Sequence, residues 1–537
     1  MDTHARRFVV ASAALALGLA ACAAPAPEAG PAGTPELRAA LFDTVLARSE
    51  RREAFSPVKN QAMAYDPLDA MRALRDEAVG ADTEEALFYA LAKLSHARRD
   101  RHLDVALVPG GLHLPDSAGV DVWGGGEAPP PRRAPVRIFP DYGEAGGYFV
   151  GDVADVEGVA VPDPGTRVVS VNGVAVPDWE AAVRPWIRHS SLAGFRWKAA
   201  EALSLATAAW PPELRTDSLR LEVEGPGGTP VAVTLPFMSE GELAWRGVSE
   251  PRYPGTRSVL ETVTYQLLLP DDGAEWLVLV WTGFRETMVA DVDTLMAFAA
   301  REGLLDRHVI VDVTRSGGGS LGAYALQRLQ PRPFRTTFGN LRLSDVIVPF
   351  VEGKRADFAA RNVNDGGVAE TVDDGSWLLD WLEDDVLAAL ERGDPYTGAV
   401  PFKLAHAPKD SDGILQPADV HFRGGITVVS GPSGGSHLDQ FNAIVRDNAL
   451  GALVGMPAGG YSNTWEWEEV LTFPGTDRPV VGFMYDIGHT LRPNGEILEG
   501  NPAAVDVQVP LTAEGAADYY PRLLDEALRA LRARVRG

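Results

Sequence analysis

Ile426-Thr427-Val428-Val429-Ser430-Gly431-Pro432-Ser433-Gly434-Gly435-Ser436 passes from a β-branched apolar run into a glycine-rich turn, and Leu438, Phe441, Ile444 and Val445 behind it fall on one helical face. Strand, turn and helix in one stretch are the repeating unit of an α/β sheet. A second segment repeats the first half of the pattern: Val309 to Val313 form a strand that runs straight into Arg315-Ser316-Gly317-Gly318-Gly319-Ser320. Outward from these two, Trp276 to Trp281 read as a strand and Met288 to Ala300 as a helix. From about Arg252 the chain therefore alternates apolar strands with helices, which implies an α/β core with parallel strands. Two strand ends that deliver glycine-rich turns mark the place where open α/β sheets hold their ligands. Between them, roughly Val346 to Ala407 reads as an insertion with a helix around Trp377 to Arg392.

Upstream the patterning changes. Over Tyr148 to Trp179, Pro164-Gly165 makes a turn, Arg167 to Val171 a strand, Asn172-Gly173 a hairpin turn and Val174 to Val176 the return, before a helix begins at Asp178. That order resembles the second half of a bacterial PDZ domain, with Thr166 where the pattern usually has Asp. Gly124 to Pro131 read as a linker or exposed turn. Earlier still, Leu41, Val45 and Leu46, then Leu87, Phe88, Leu91 and Leu94, recur at helical spacing and define a small helical domain. It ends in a basic turn, Arg98-Arg99-Asp100-Arg101-His102, that leads into a strand.

The start of the chain reads as an address. Arg6 and Arg7 precede an apolar run, Phe8 to Ala21, that closes on Leu19-Ala20-Ala21-Cys22. The run is shorter than the roughly 20 residues a membrane-spanning helix needs, so it reads as a removable lipoprotein signal ending in a lipobox, with Cys22 the lipidated residue. Export by the general or the twin-arginine route is left open by these residues. Ala23 is not the Asp of inner-membrane retention, which favours an outer-membrane address on the periplasmic side. The chain thus divides into a signal over 1–21, a flexible Ala/Pro/Gly tether over 22–34, the helical domain over 35–115, the β module over 116–250 and the α/β core over 251–537, insertion included.

Composition narrows the function. In 537 residues 45% are apolar, enough for a large core, and the formal charge is -25. Such an acidic chain lacks the basic surface that nucleic-acid binding requires. Its single cysteine permits neither an internal disulfide nor a Cys/His zinc cluster, and no metal or organic cofactor is called for.

A serine at the start of a helix behind a buried strand has free backbone N–H groups and the positive end of the helix dipole beside it, which favours an oxyanion there. Two serines compete for that role. Gly431-Pro432-Ser433-Gly434-Gly435 matches the G-x-S-x-G elbow of α/β-hydrolase esterases, for which His489 would be the base. Ser436 lies at the cap itself, although Ser436-His437-Leu438-Asp439 also reads as a plain capping box.

The strand-plus-glycine segment Val309 to Gly319 resembles that of the C-terminal processing, or tail-specific, serine peptidases. A later strand and turn with the nucleophile, then a helix with acids, are matched by Ser436, Asp439 and Asp447. Val454 to Gly460, and Gly495 to Gly500 with Asp506-Val507, resemble the family's next strand and loop and its closing segment. The resemblance implies an α/β core of the tail-specific protease type with an N-terminal helical domain and a PDZ-like β module. The chain has no lysine beyond Lys409, and Tyr461 stands near the place of the catalytic lysine, so the Ser-Lys dyad of the better-known branch is absent. Asp100-Arg101-His102 instead resembles the Asp-x-His of the tricorn-like Ser-His-Glu branch. The resemblance then implies Ser436 as nucleophile, His102 as base, Glu499 as its orienting carboxylate, and an oxyanion hole from the backbone of Gly318, Gly319 and His437. The substrate would be a polypeptide, and the PDZ-like module would bind an extended chain end as an added strand. A peptide- or ligand-binding lipoprotein of the same fold, without catalysis, is the remaining reading.

Overall fold

The computed structural model describes residues 30–248, 250–285, 287–360, 376–401, 409–463 and 465–535. The signal, Cys22 and the tether up to residue 29 lie outside the described residues, as do 361–375 and 402–408 of the insertion.

The core is a seven-stranded sheet in the order Thr256–Glu261, Tyr265–Pro270, Trp276–Trp281, His308–Asp312, Ile426–Ser430, Gly451–Gly455 and Val507–Gln508. The first three strands are a meander of antiparallel neighbours, and from Trp276–Trp281 onward every pairing is parallel. The central strands Trp276–Trp281, His308–Asp312, Ile426–Ser430 and Gly451–Gly455 are largely apolar because both faces are covered, whereas the edge strand Thr256–Glu261 is mostly polar. Leu277, Leu279, Val309, Val311, Val428 and Leu453 face the helices Met288–Arg301, Gly322–Leu329 and His437–Asp447. Their alternates Val278, Ile310, Val429 and Val454 face the helix Tyr519–Val535 through Tyr519, Tyr520 and Leu523.

Ahead of the β-rich part the described chain forms the helices Pro35–Arg52, Pro57–Ala62, Pro67–Arg72, Arg75–Gly80 and Glu84–His96. Three of them start on an N-cap followed by proline, Thr34-Pro35, Ser56-Pro57 and Asp66-Pro67, where the missing proline N–H costs nothing. A second sheet, Trp245–Gly247, Tyr148–Ala154, Arg167–Val171, Ser218–Glu224 and Pro230–Pro236, carries Val136–Pro140 and Val174–Ala175 on its side. Asn172 and Gly173, both at positive φ, make the tight turn expected from their sequence. The return strand stops at Ala175, one residue short of the expectation. Pro177 sits in the first turn of the helix Val176–Val183 and sets its start two residues before Asp178.

Val105–Ala106, directly behind the basic turn, pairs with Pro479–Asp486 from the far end of the chain, Val105 opposite Phe483. Arg98, fully buried, fixes the same join: it pairs with Glu53, donates to the Met484 carbonyl at 2.7 Å and lies over the Phe483 ring. The basic turn is thereby clamped onto the second half of the molecule.

Candidate active site

The strand Ile426–Ser430 ends in the turn that the sequence announces, and its last residue, Ser436, is held at φ 62, ψ -122 ahead of the helix His437–Asp447. A side chain rarely occupies that backbone region, and strain of this kind persists only where surrounding contacts enforce it. Here the Ser436 N–H donates to the Tyr461 carbonyl at 2.5 Å, and the Ser436 carbonyl accepts from Asp439 and Gln440. The capping box does not form: the side chain of Ser436 makes no cap hydrogen bond, because this geometry turns it out of the helix end.

The two glycine turns lie against one another. A Cβ on Gly434 would fall 1.9 Å from the Ser316 carbonyl oxygen, and one on Gly318 would fall 2.6 Å from Ser436 Cβ and 3.1 Å from its Oγ. Gly319, at φ +134, presses on the Phe284 carbonyl, with 1.7 Å left for a Cβ. Among the described residues neither the Gly318 nor the Gly319 N–H donates to a backbone acceptor. The Gly318 turn thus packs directly on the Ser436 side chain. We expect Gly318→Ala to lower turnover at least a hundredfold with a folded protein, since the methyl would have to share space with the serine. Circular dichroism and turnover measured on one preparation check this.

The His437 side chain is turned away from the serine. Its Nε2 accepts the Gly322 N–H at 2.7 Å, and its ring packs edge-on against Phe284. A backbone N–H only donates, so Nε2 is held unprotonated.

His102 stands on the opposite side, its ring 5.3 Å from that of Tyr461, the residue whose carbonyl holds Ser436 and whose ring abuts Gly435. Its backbone N–H donates to Asp100 Oδ1 at 2.9 Å, and Nδ1 lies 4.0 Å from the same oxygen. No hydrogen bond joins His102 to Ser436 or to Glu499 among the described residues; catalytic hydrogen bonds of this kind commonly tighten only around substrate.

Glu499 is where the geometry departs from the expected direct partnership with His102. The carboxylate is fully buried; Oε1 accepts from Lys59 Nζ at 2.9 Å, and Oε2 from the Ser462 N–H at 2.7 Å. Lys59 Nζ also lies 3.6 Å from Asp100 Oδ2. Glu499 therefore reaches His102 through Lys59 and Asp100, and it braces the loop carrying Tyr461. Burial, then the neighbouring Asp100, push the Glu499 carboxyl up, with Lys59 opposing. Burial opposes charge on Lys59 too, but Glu499 and Asp100 outweigh it and hold the ammonium above its usual range. Asp486 is likewise pushed up, by burial and then by the neighbouring Asp100.

The acids on the serine's helix are structural. Asp439, buried, accepts the Gly460 N–H at 3.1 Å, and Asp447 pairs with Arg492 at 2.6 Å. The esterase alternative finds its two residues engaged elsewhere: Ser433 Oγ donates to the Thr314 carbonyl at 2.5 Å, while His489 stacks on Tyr396 and its Nε2 lies 3.4 Å from the Phe55 carbonyl. Burial lowers His489 to about 4.

Lys59, Ser190 and Asp486 had no role in the sequence reading, and Tyr461 entered it only as the residue near the place of the catalytic lysine. Lys59 lies on a six-residue helix whose only sequence signal is its Ser56-Pro57 start, and nothing local distinguishes its side chain from a solvated one.

No family model matches this sequence, and no curated protein matches it. Solved structures do. Mature CPAF superposes with a TM-score of 0.66 at 16% identity, over 91% of this chain and 96% of its own. Mature CPAF complexed with lactacystin gives 0.66 at 15%, over 91% and 97%. The photosystem II D1 C-terminal processing protease is a looser likeness, at 0.39 and 11%, over 88% and 92%. The fold of this chain is that of CPAF, along nearly its whole length.

Proposed function

We propose that this protein is a serine endopeptidase of the tricorn-like Ser-His-Glu kind, cleaving polypeptides through an acyl-enzyme. The observation that carries the reading is Ser436: strained, uncapped, at the mouth of a helix, and packed on a glycine turn with available N–H groups. Ser436 Oγ attacks the scissile carbonyl as His102 takes its proton, and the carbonyl oxygen becomes an oxyanion held by the Gly318, Gly319 and His437 N–H groups. His102 then returns the proton to the leaving amine, and water releases the acyl group by the same steps. Glu499 acts at one remove, through Lys59 and Asp100, to keep the His102 segment and the Tyr461 loop in place. No cofactor or metal enters this chemistry. The likeness to CPAF and the order of motifs support the reading, as does the commitment of Ser433 and His489 to other contacts.

The sheet built on Tyr148–Ala154 is proposed as the PDZ-like module, receiving an extended chain end. The protein is proposed to be exported and held through lipid on Cys22 at the periplasmic side of the outer membrane. The test is a fluorophosphonate probe on the full-length protein, read by peptide mass. An adduct on Ser436 that disappears in His102→Ala is expected. An adduct on Ser433, or none on any serine, overturns the proposal in favour of an esterase or a binding protein.

A further inference from the structure

The join that clamps the basic turn onto the second half of the chain also brings an acid without a donor to the turn that bears His102. Asp486 is the last residue of the strand Pro479–Asp486, and its main chain is fixed on both sides: the carbonyl accepts the Ala54 N–H at 2.7 Å, and its own N–H points at Glu53 Oε2, 3.5 Å away. The side chain is buried and meets that of Asp100. Neither carboxyl oxygen of Asp486 has a donor among the described residues.

The cations of the cluster are committed elsewhere. Arg98 pairs with Glu53, and Lys59 Nζ lies 2.9 Å from Glu499 Oε1 and 3.6 Å from Asp100 Oδ2. What faces Asp486 from the surrounding elements is a set of carboxyls: Asp100 on the basic turn, Glu466 directly opposite on the neighbouring strand, Glu499, and Glu53 at the end of the first helix. Asp100 has the better claim to a negative charge. It accepts the His102 N–H at 2.9 Å and stands 4.0 Å from His102 Nδ1. Burial opposes charge on Asp100, but Lys59 and then His102 outweigh it and hold the carboxyl below its usual range. Two carboxylates in contact repel, whereas a carboxylic acid donates to a carboxylate. With Asp100 as the charged member of the pair, the proton between them belongs to Asp486.

Position gives that proton a use. Asp100 is the carboxylate within 4.0 Å of a His102 ring nitrogen among the described residues, so it is the one that meets the imidazolium formed when the serine proton is taken. We propose that Asp486 is a positioning residue for the base: as a carboxylic acid it donates its O–H to Asp100 and keeps that carboxylate charged and aligned behind His102. The inference rests on the peptidase reading above and adds to it an acid that acts by staying neutral, a role that buried carboxyls sharing one site can take.

The experiment compares Asp486→Leu and Asp486→Asn with the full-length parent in three readouts: kcat and KM on a fluorogenic peptide that the parent cuts, the rate of fluorophosphonate labelling at Ser436, and melting temperature from pH 4 to pH 8. Asp486→Leu removes the donor, and kcat and the labelling rate are expected to fall about ten- to hundredfold with KM unchanged, the range of a hydrogen bond to a charged group. The amide N–H of Asp486→Asn replaces the O–H, so this variant recovers most of that loss. An acid that stays neutral in the folded protein binds its proton there to higher pH than in the unfolded chain, where Asp ionises near about pH 4, so its contribution to stability falls as pH rises. Asp486→Asn carries no such group. It should melt above the parent at pH 8, with the gap closing toward pH 4.

Unchanged kcat in Asp486→Leu, an Asp486→Asn as damaged as Asp486→Leu, or the absence of a melting gap at every pH overturns the proposal and leaves the peptidase standing. Where Asp486→Leu does not fold, Asp486→Asn decides alone: retained labelling with the melting gap supports the role, and lost labelling overturns it. A parent with neither a labelled Ser436 nor a cut peptide removes the peptidase reading and this role with it, while the melting gap still reports whether Asp486 holds a proton.

Discussion

Ser436→Ala is expected to reduce peptide turnover about a millionfold, the scale seen when the nucleophile of a serine peptidase is removed, and the more informative companion is Ser436→Gly. Both variants lack the hydroxyl and fall equally far in kcat. They separate in stability. At φ 62, ψ -122 alanine keeps the Cβ and therefore the strain, whereas glycine tolerates the backbone at little steric cost. Strain of this type costs about 1–3 kcal/mol, and the extra freedom of glycine in the unfolded chain returns about 0.5–1 kcal/mol of that. Ser436→Gly should thus exceed Ser436→Ala by about 1 kcal/mol in chemical denaturation, with both inactive. Residual turnover in Ser436→Ala within tenfold of the parent would remove Ser436 from the mechanism. Equal stability of the two variants would show that the turn relaxes without the hydroxyl.

The second large effect is on the carboxylate cluster. Lys59→Met leaves Glu499 and Asp100 buried without the cation they share, and uncompensated charges of this kind cost about 3–5 kcal/mol. The sign of the pH dependence follows. With Lys59 gone, both carboxyls in the folded protein hold protons to higher pH than in the unfolded chain, so the folded state binds more protons and the variant's stability falls as pH rises above about 4. Its deficit against the parent should be largest at pH 7–8 and shrink toward pH 5, as read from melting temperature. Glu499→Leu added to Lys59→Met should recover only the part of the stability owed to Glu499, since Asp100 still lacks its cation, and none of the turnover, since an apolar pair braces neither Ser462 nor Asp100. A Lys59→Met protein as stable as the parent at pH 7 would mean that the cluster is neutral.

Sequence patterning carries local information, and the parts of this fold that are local were legible from it. Trp276–Trp281 and the helix after it, both glycine turns and the hairpin at Asn172-Gly173 stand where their periodicity and turn chemistry placed them. So did Ser436 as the residue at the helix mouth, although its capping-box reading failed because the backbone there is not that of an ordinary N-cap. The link between His102 and Glu499 was not legible. It runs through Lys59, 440 residues from Glu499 in the chain, and no spacing rule connects them.

The join between Val105–Ala106 and Pro479–Asp486 bears on when the serine can act. The turn bearing His102 is made early in synthesis, and the strand that clamps it is made several hundred residues later. Contacts so distant along the chain form slowly and late, after much loop entropy has been lost. On the proposed mechanism, until that join closes Ser436 would lack the His102 base, and a nascent chain would present an inert hydroxyl. If the proposed function holds, the topology would act as a timer, withholding hydrolysis until the chain is complete.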